Sequence, residues 1–218
     1  MPEPVTLVAV GGGLIGLTAH LARRYFEIGK EVLDIVLGCI ALVLALPVMG
    51  LCAVIILLCD GGPIVFTQIR VGKDGKYFRL YKLRTMYRNV ESATGAVWAK
   101  QGDPRVIGAC RWMRMSHMDE LPQLINVIRG DMSLVGPRPE RPEILEELEK
   151  VYPDIRKRLT VLPGITGLAQ VTNGYDTTVE AVRDKLRSDL KYIEKRCWSM
   201  ELKILAATFG KLHDRSAC

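Results

Sequence analysis

The sequence lacks the marks of several common function classes. Its six cysteines, at 39, 52, 59, 110, 197 and 218, include no Cys-x-x-Cys pair. None is closely paired with His20, His117 or His213. That spacing gives neither a zinc site nor a disulfide framework; the cysteines read as free thiols in a reducing compartment. Aromatic residues make up only 6% of the chain. No nucleic-acid reader motif accompanies them, so the basic balance does not point to DNA or RNA. Internal repeats and low-complexity tracts are absent. Charge is missing over two long stretches, residues 5–22 (with His20 neutral) and 35–59.

What is present is basic and apolar at once. The chain has 218 residues, a net charge of +6 and 25% charged residues, yet its mean hydropathy is +0.14. Apolar segments must therefore stand beside a charged body. The positive balance suits a partner that carries phosphates or an anionic lipid surface.

Residues 5–22 contain Gly11-x-Gly13-x-x-Gly16 after the strand-like Val5–Val10. A dinucleotide-binding turn has that spacing, but it needs a βαβ unit and a following acid. Here Arg23-Arg24 and a second apolar run follow instead, so the segment reads as a glycine-bearing membrane helix. No charged region precedes it as in a secretory signal.

The run 35–59 is long enough for a hydrocarbon core about 30 Å thick. Pro47 sits near its middle and removes one helical hydrogen bond, which predicts a kink or break. Each arm alone, roughly 18 Å long at 1.5 Å per residue, reaches little beyond half the core. Arg23, Arg24 and Lys30 precede the run; Arg70, Lys73, Lys76, Arg79, Lys82 and Arg84 follow it. Positive charge on both flanks marks both as cytoplasmic. The reading is a re-entrant helix broken at Pro47.

The remaining chain reads as α+β and mostly helical. Strands are expected over 64–71 and 76–84, joined at Gly72-Lys73-Asp74-Gly75 with Asp-Gly as the turn signal. By period two, Lys82 and Arg84 share a side. Residues 88–104 read as a loop and 106–115 as a surface helix. Residues 133–140 and 162–171 read as stiff Pro/Gly loops, the second leading into a short strand. Residues 142–152 form a glutamate-rich helix. Val182, Leu186, Leu190 and Ile193 mark an amphipathic helix that carries Asp189. Residues 200–212 belong either to the core or to a membrane interface. The expected domains are an N-terminal membrane-associated segment (1–30), the re-entrant helix (31–60) and a compact catalytic domain (61–218).

Candidate chemistry centres on Ser116–Asp131. Leu121, Leu124, Ile125 and Ile128 recur at helical period. Pro122 fits a first turn and Gly130 a helix stop. Asp119 and Glu120 would then lie in the first turn, with Arg111 and Arg114 just upstream. A solvated helix cap is one reading of that pair. Phosphoryl chemistry is the other: two acids can hold Mg²⁺, arginines can hold phosphate oxygens, and a carboxylate can attack phosphorus.

Several ordered blocks carry a resemblance that decides between them. They are the Pro-interrupted apolar segment, Ile64-Val65-Phe66-Thr67-Gln68 with Arg70-Val71-Gly72, Tyr81-Lys82-Leu83-Arg84-Thr85-Met86, and Asp103-Pro104-Arg105. Met118-Asp119-Glu120-Leu121-Pro122-Gln123-Leu124, the run from Gly130 to Glu140, and Pro163–Val171 complete the set. In this order they resemble the small monotopic phosphoglycosyl transferases over about residues 31–208. The resemblance implies transfer of a phosphosugar from a UDP-sugar to polyprenyl phosphate with release of UMP, using Mg²⁺. It implies Asp119 as nucleophile and Glu120 as the neighbouring acid, both near the metal. Arg114, Arg138, Lys82, Arg84 and Asp189 are implied around the phosphates, and Pro47 at the membrane bend. It places the protein at the cytoplasmic face of a bacterial inner membrane, in contact with phospholipids, and leaves a homo-oligomer open. A catalytically silent scaffold that binds nucleotide or lipid is the alternative. Three positions depart from the pattern: Leu46 stands where the family commonly has Ser, Leu162 where it often has a basic residue, and His117-Met118 where it has Ser-Leu.

Overall fold

The computed structural model describes residues 5–88, 103–173 and 179–211. Helix α1, Val5–Asp60, runs through both apolar stretches and through Pro47 without interruption. The Gly11–Gly16 spacing lies inside this helix, in keeping with the reading of 5–22 as a glycine-bearing helix and not as a dinucleotide-binding turn. One expectation changes: the chain stays helical through Pro47, where a break was expected. Only the bond that a backbone N–H at 47 would have given is missing. In apolar surroundings the remaining backbone groups gain most by staying in the helix.

Segment Leu21–Asp60 is, among the described residues, the one helix long and apolar enough to cross a membrane. One stripe of it packs on the body. Gly38 lies against Val127 and Ile128, and Cys52 and Ile56 join a core with Leu83, Ile107, Cys110 and Met113. The rest, including Val43, Leu44, Leu46, Leu51, Val54 and Leu58, is exposed.

Strands β1 (Val65–Val71) and β2 (Tyr77–Leu83) form the expected hairpin, with Val65 opposite Leu83 and Val71 opposite Tyr77. The turn is a short 3-10 segment, Lys73–Gly75, in which Asp74 and Gly75 take positive φ. Loop 88–104 falls mostly outside the described residues. A 3-10 turn at Gly108–Cys110 leads into α2, Arg111–Met115.

The acid pair departs from the helix expected over 116–131. Asp119 and Glu120 sit in a 3-10 turn, Met118–Glu120, and α3 spans only Gln123–Ile128. Pro122 supplies the reason. Its missing N–H cannot bond the Met118 carbonyl, which instead accepts from Leu121 N–H at 3.3 Å, so the turn tightens. Gly130 ends the helix at φ +76°, as expected of a left-handed C-terminal cap.

Residues 133–140 begin as strand β3, Ser133–Val135, paired in parallel with β4, Gly164–Thr166. β4 falls inside the segment 162–171 read as a loop, and among the described residues no strand follows that segment, where one was expected. Residues beyond β4 turn into α5, Leu168–Thr172. The two strands cross so closely that a Cβ on Gly136, Gly164 or Gly167 would overlap facing backbone. Helix α4 spans Pro142–Val151, a 3-10 stretch covers Pro153–Thr160, and α6 and α7 span Val179–Lys195 and Trp198–Lys211. On α7, Glu201 and Ile204 are buried, whereas Trp198, Leu202 and Phe209 are exposed.

Candidate active site

Strand β2 brings the first cation. Phe78 and Leu80 are buried on the face that meets α3 and β3. Lys82 continues that alternation. Its ammonium donates to Glu120 Oε1 at 2.7 Å. The second cation comes from the loop after β3. Arg138 donates to both Glu120 oxygens, at 2.6 Å (Nη2 to Oε1) and 3.2 Å (Nη1 to Oε2). Asp119 and Glu120 are only 5% and 8% exposed. They are therefore not the solvated cap that composition alone allowed.

The two acids have opposite electrostatics. Burial pushes the Asp119 carboxyl above its ordinary value; the Lys82 charge opposes this and Glu120 reinforces it, while Arg114 and His117 act more weakly to lower it. Among the described residues, none donates a hydrogen bond to the Asp119 carboxylate. Burial works on Glu120 in the same sense, but the charges and hydrogen bonds of Arg138 and Lys82 outweigh it and hold Glu120 well below the usual carboxylate range. Burial lowers the Lys82 ammonium, with Glu120 acting the other way. Asp119 is thus the acid left open, and Glu120 the acid committed to two cations.

Lys82, Asp119, Glu120 and Arg138 come together as expected, and Arg114 lies close enough for its charge to act on Asp119. Arg114 Nη1 reaches Thr85 Oγ1 at 3.4 Å, and its buried Nε has no partner among the described residues. Arg84 and Asp189 lie elsewhere. Arg84 closes the end of α1, bonding the Asp60 carboxylate, Gly61 O and, at 2.6 Å, Pro63 O. Asp189, 2% exposed, accepts from Arg158 Nη2 at 2.7 Å.

Sequence reasoning missed Asn126. Fully buried on α3, it accepts from Tyr81 N–H at 3.2 Å and donates to Arg79 O at 2.8 Å. It therefore satisfies the edge of β2 beside Lys82 and fixes the α3–β2 spacing that sets the Lys82–Glu120 bond. An asparagine within the apolar period of 121–128 was the available signal.

The donor set fits Mg²⁺ in the manner that ion prefers, with one or two carboxylates and the remaining positions left to phosphate and water. Asp119 has both oxygens open. Glu120 Oε1 already accepts two bonds, but Oε2 accepts only one and keeps a lone pair. No group of three or more His, Cys, Asp or Glu side chains suited to a metal occurs among the described residues. A bound diphosphate would therefore have to supply ligands.

Comparison with known proteins gives the family. Residues 25–215 match the family model described as bacterial sugar transferase. The chain is 42% identical, over 176 residues, to an Aeromonas hydrophila protein named UDP-N-acetylgalactosamine-undecaprenyl-phosphate N-acetylgalactosaminephosphotransferase, which covers 81% of this chain and 41% of that protein. It is 40% identical over 196 residues to a UDP-glucose:undecaprenyl-phosphate glucose-1-phosphate transferase of Caulobacter vibrioides (88% of this chain, 72% of that one). An Escherichia coli protein of the same name is 38% identical over 186 residues (84% and 39%). The chain thus spans about two fifths of the length of the Aeromonas and Escherichia relatives.

Proposed function

The chain belongs to the bacterial sugar transferase family, and from that premise we propose that it transfers a phosphosugar from a UDP-sugar to polyprenyl phosphate. One observation carries the reading: a buried, open Asp119 stands beside a Glu120 gripped by Lys82 and Arg138. The names of the relatives support the substrate class.

The chemistry proceeds in two displacements. The ionised Asp119 carboxylate attacks the sugar-bearing phosphorus of the UDP-sugar, and the bond from that phosphorus to the bridging oxygen breaks. UMP leaves with that oxygen, and an aspartyl-phosphosugar remains. A phosphate oxygen of the polyprenyl carrier then attacks the same phosphorus. The bond to Asp119 breaks, its carboxylate is regenerated, and polyprenyl-diphosphate-sugar departs. Lys82 and Arg138 face the charge that develops on the phosphoryl oxygens. Glu120 orients both cations but takes only one of the three ammonium protons of Lys82. Asp119 and Glu120 Oε2 would hold Mg²⁺ against the diphosphate, where it would supply further charge neutralisation.

The membrane arrangement belongs to the same proposal. Asp34, just before the uncharged run, accepts from Ser133 Oγ at 2.6 Å, and Asp60, just after it, pairs with Arg84. Both ends are thus tied to one charged body. A helix crossing a core about 30 Å thick would leave its ends on opposite faces. This supports a re-entrant segment bent near Pro47, with the body at the cytoplasmic face of the inner membrane. The exposed stripe Trp198, Leu202 and Phe209 on α7 would then lie in the lipid interface.

The test uses the full chain in lipid nanodiscs with Mg²⁺ and a panel of UDP-sugars. UMP release and a mass increase of one phosphosugar on Asp119 are expected. Full activity in Asp119→Asn refutes the nucleophile, and binding of UDP-sugar without turnover supports the scaffold instead. For topology, cysteines placed at Arg24 and Gly62 should react with an impermeant reagent from the same side. Labelling from opposite sides means that α1 spans.

A further inference from the structure

The loop that carries Arg138 has an unusual backbone. Four consecutive carbonyls, 137 to 140, each accept a hydrogen bond from a different place. Pro137 O accepts from Gly164 N–H at 2.9 Å, and Glu140 O from Val71 N–H at 3.0 Å. The two between them accept from side chains. Arg138 O takes Arg158 Nη2 at 2.9 Å, and Pro139 O takes Arg70 Nη1 at 3.0 Å.

Each guanidinium is itself held. Arg158 pairs with Asp189 at 2.7 Å and with Glu140 Oε1 at 3.5 Å. Arg70 donates to Gln68 Oε1 at 2.6 Å and approaches Glu140 Oε2 at 4.0 Å. Arg158 and Asp189 are almost wholly buried, and none of their hydrogen bonds reaches Asp119 or Glu120. Prolines 137 and 139 fix φ on either side of Arg138. With both neighbouring carbonyls pinned, the Arg138 side chain starts from one backbone position, and its fork meets both Glu120 oxygens.

We propose that Arg70, Arg158 and Asp189 are positioning residues for the phosphosugar transfer: the two arginines clamp carbonyls 138 and 139, Asp189 braces the second clamp, and together they aim Arg138. This rests on the reading of Asp119, Glu120 and Arg138 as the transfer centre. It moves Asp189 from substrate contact, as the resemblance implied, to a place behind the site. A carboxylate in direct contact with substrate would set KM. One that acts through Arg138 sets kcat, because a misplacement of about 1 Å costs on the order of 100-fold.

The test is a double-mutant cycle on the full chain in nanodiscs, read as UMP release. Arg70→Gln, Arg158→Gln and Asp189→Asn should each lower kcat by about 10- to 100-fold with KM for the UDP-sugar nearly constant. In an Arg138→Gln background each should cost less than about 2-fold, since residues acting through one group do not add. Arg70→Lys keeps a donor for Pro139 O and should recover most of the loss. Amide exchange over 134–141 should speed up in Arg70→Gln and stay slow in Arg70→Lys. Losses that multiply in the Arg138→Gln background, a change confined to KM, or unchanged exchange would overturn the clamp. A wild-type chain that releases no UMP from any UDP-sugar, yet shows the exchange difference, overturns the transfer reading and leaves the clamp standing.

Discussion

Neutralising two adjacent acids in this protein should shift its stability in opposite directions. Glu120→Gln removes the charge that Arg138 and Lys82 hold at 2.6 and 2.7 Å. Both cations are then left partly buried without their counter-charge. Removing one partner of a buried pair costs about 3–5 kcal/mol. Lys82 and Arg138 keep some access to water, so the lower figure applies. For a chain of this size each kcal/mol moves the midpoint by about 2–4 °C, and about 3 kcal/mol corresponds to a fall of roughly 6–12 °C. Asp119→Asn does the reverse. Burial holds that carboxyl above its ordinary value, so its ionised form is unfavourable in the fold, and the neutral amide removes that burden. Its midpoint should stay level or rise.

The assay is thermal unfolding in nanodiscs near neutral pH, followed by the emission of the three tryptophans. UMP release is measured on the same samples. Both variants should lose transfer activity, so activity alone cannot separate them. Stability can. Equal falls in the two midpoints, or a more stable Glu120→Gln, would refute the division into an open acid and a committed one.

pH should show the same division. The Asp119 pKa is raised above 3.8, so transfer should fall as pH drops through a value higher than that of an ordinary aspartate, as an acid limb in UMP release. The Glu120 pKa lies well below 4.5 in the fold. Its stabilising contribution is full above 4.5 and should be lost as pH falls from there toward the folded value, read as a declining unfolding midpoint. At the strand crossing, Gly164→Ala should abolish the folded state, because its Cβ would overlap the Gly136 backbone. Gly210→Ala, with open space around it, should leave the midpoint within about 1 °C; an intact Gly164→Ala would show that the strands can separate without loss.

Much of this was legible in residue pattern, because the signals were local. The Asp-Gly turn and alternating strands located the hairpin within a residue at either end. The glutamate-rich helix, the helix carrying Asp189 and the stop at Gly130 were likewise readable. What was not legible depended on distant partners. Period two puts Lys82 and Arg84 on one side, yet Lys82 meets Glu120 and Arg84 meets Asp60, a division that α1 imposes. The parallel pairing of Ser133–Val135 with Gly164–Thr166 joins segments about thirty residues apart that punctuation alone marked as loops. Pro122 could be read as a good first-turn residue, but its cost to the Met118 carbonyl decided the outcome and moved the acids out of α3. Asp189 looked like a site residue because it belongs to the shared pattern, and its bond to Arg158 shows how a residue can belong to the pattern without facing the acids.

The tie between α1 and the site follows from where the polar contacts fall. The elements that carry the site are too short to hold themselves: β3 has three residues, and the turn bearing the acids has three. Pieces of that length take their position from what they pack against. For both cations that grip Glu120, α1 is part of that packing. Asp34 bonds Ser133 at the start of the strand that leads to Arg138, and Asp60 bonds Arg84, two residues after Lys82. Asp34 is itself beside Lys30, which reaches Glu201 on α7 at 2.6 Å. A shift of α1 relative to the body would therefore pull on Lys82 from one end and on Arg138 from the other, with Glu120 between them. Severing α1 would cost the site its geometry. The short lever arms, two residues in one case and five in the other, leave little slack to absorb the movement.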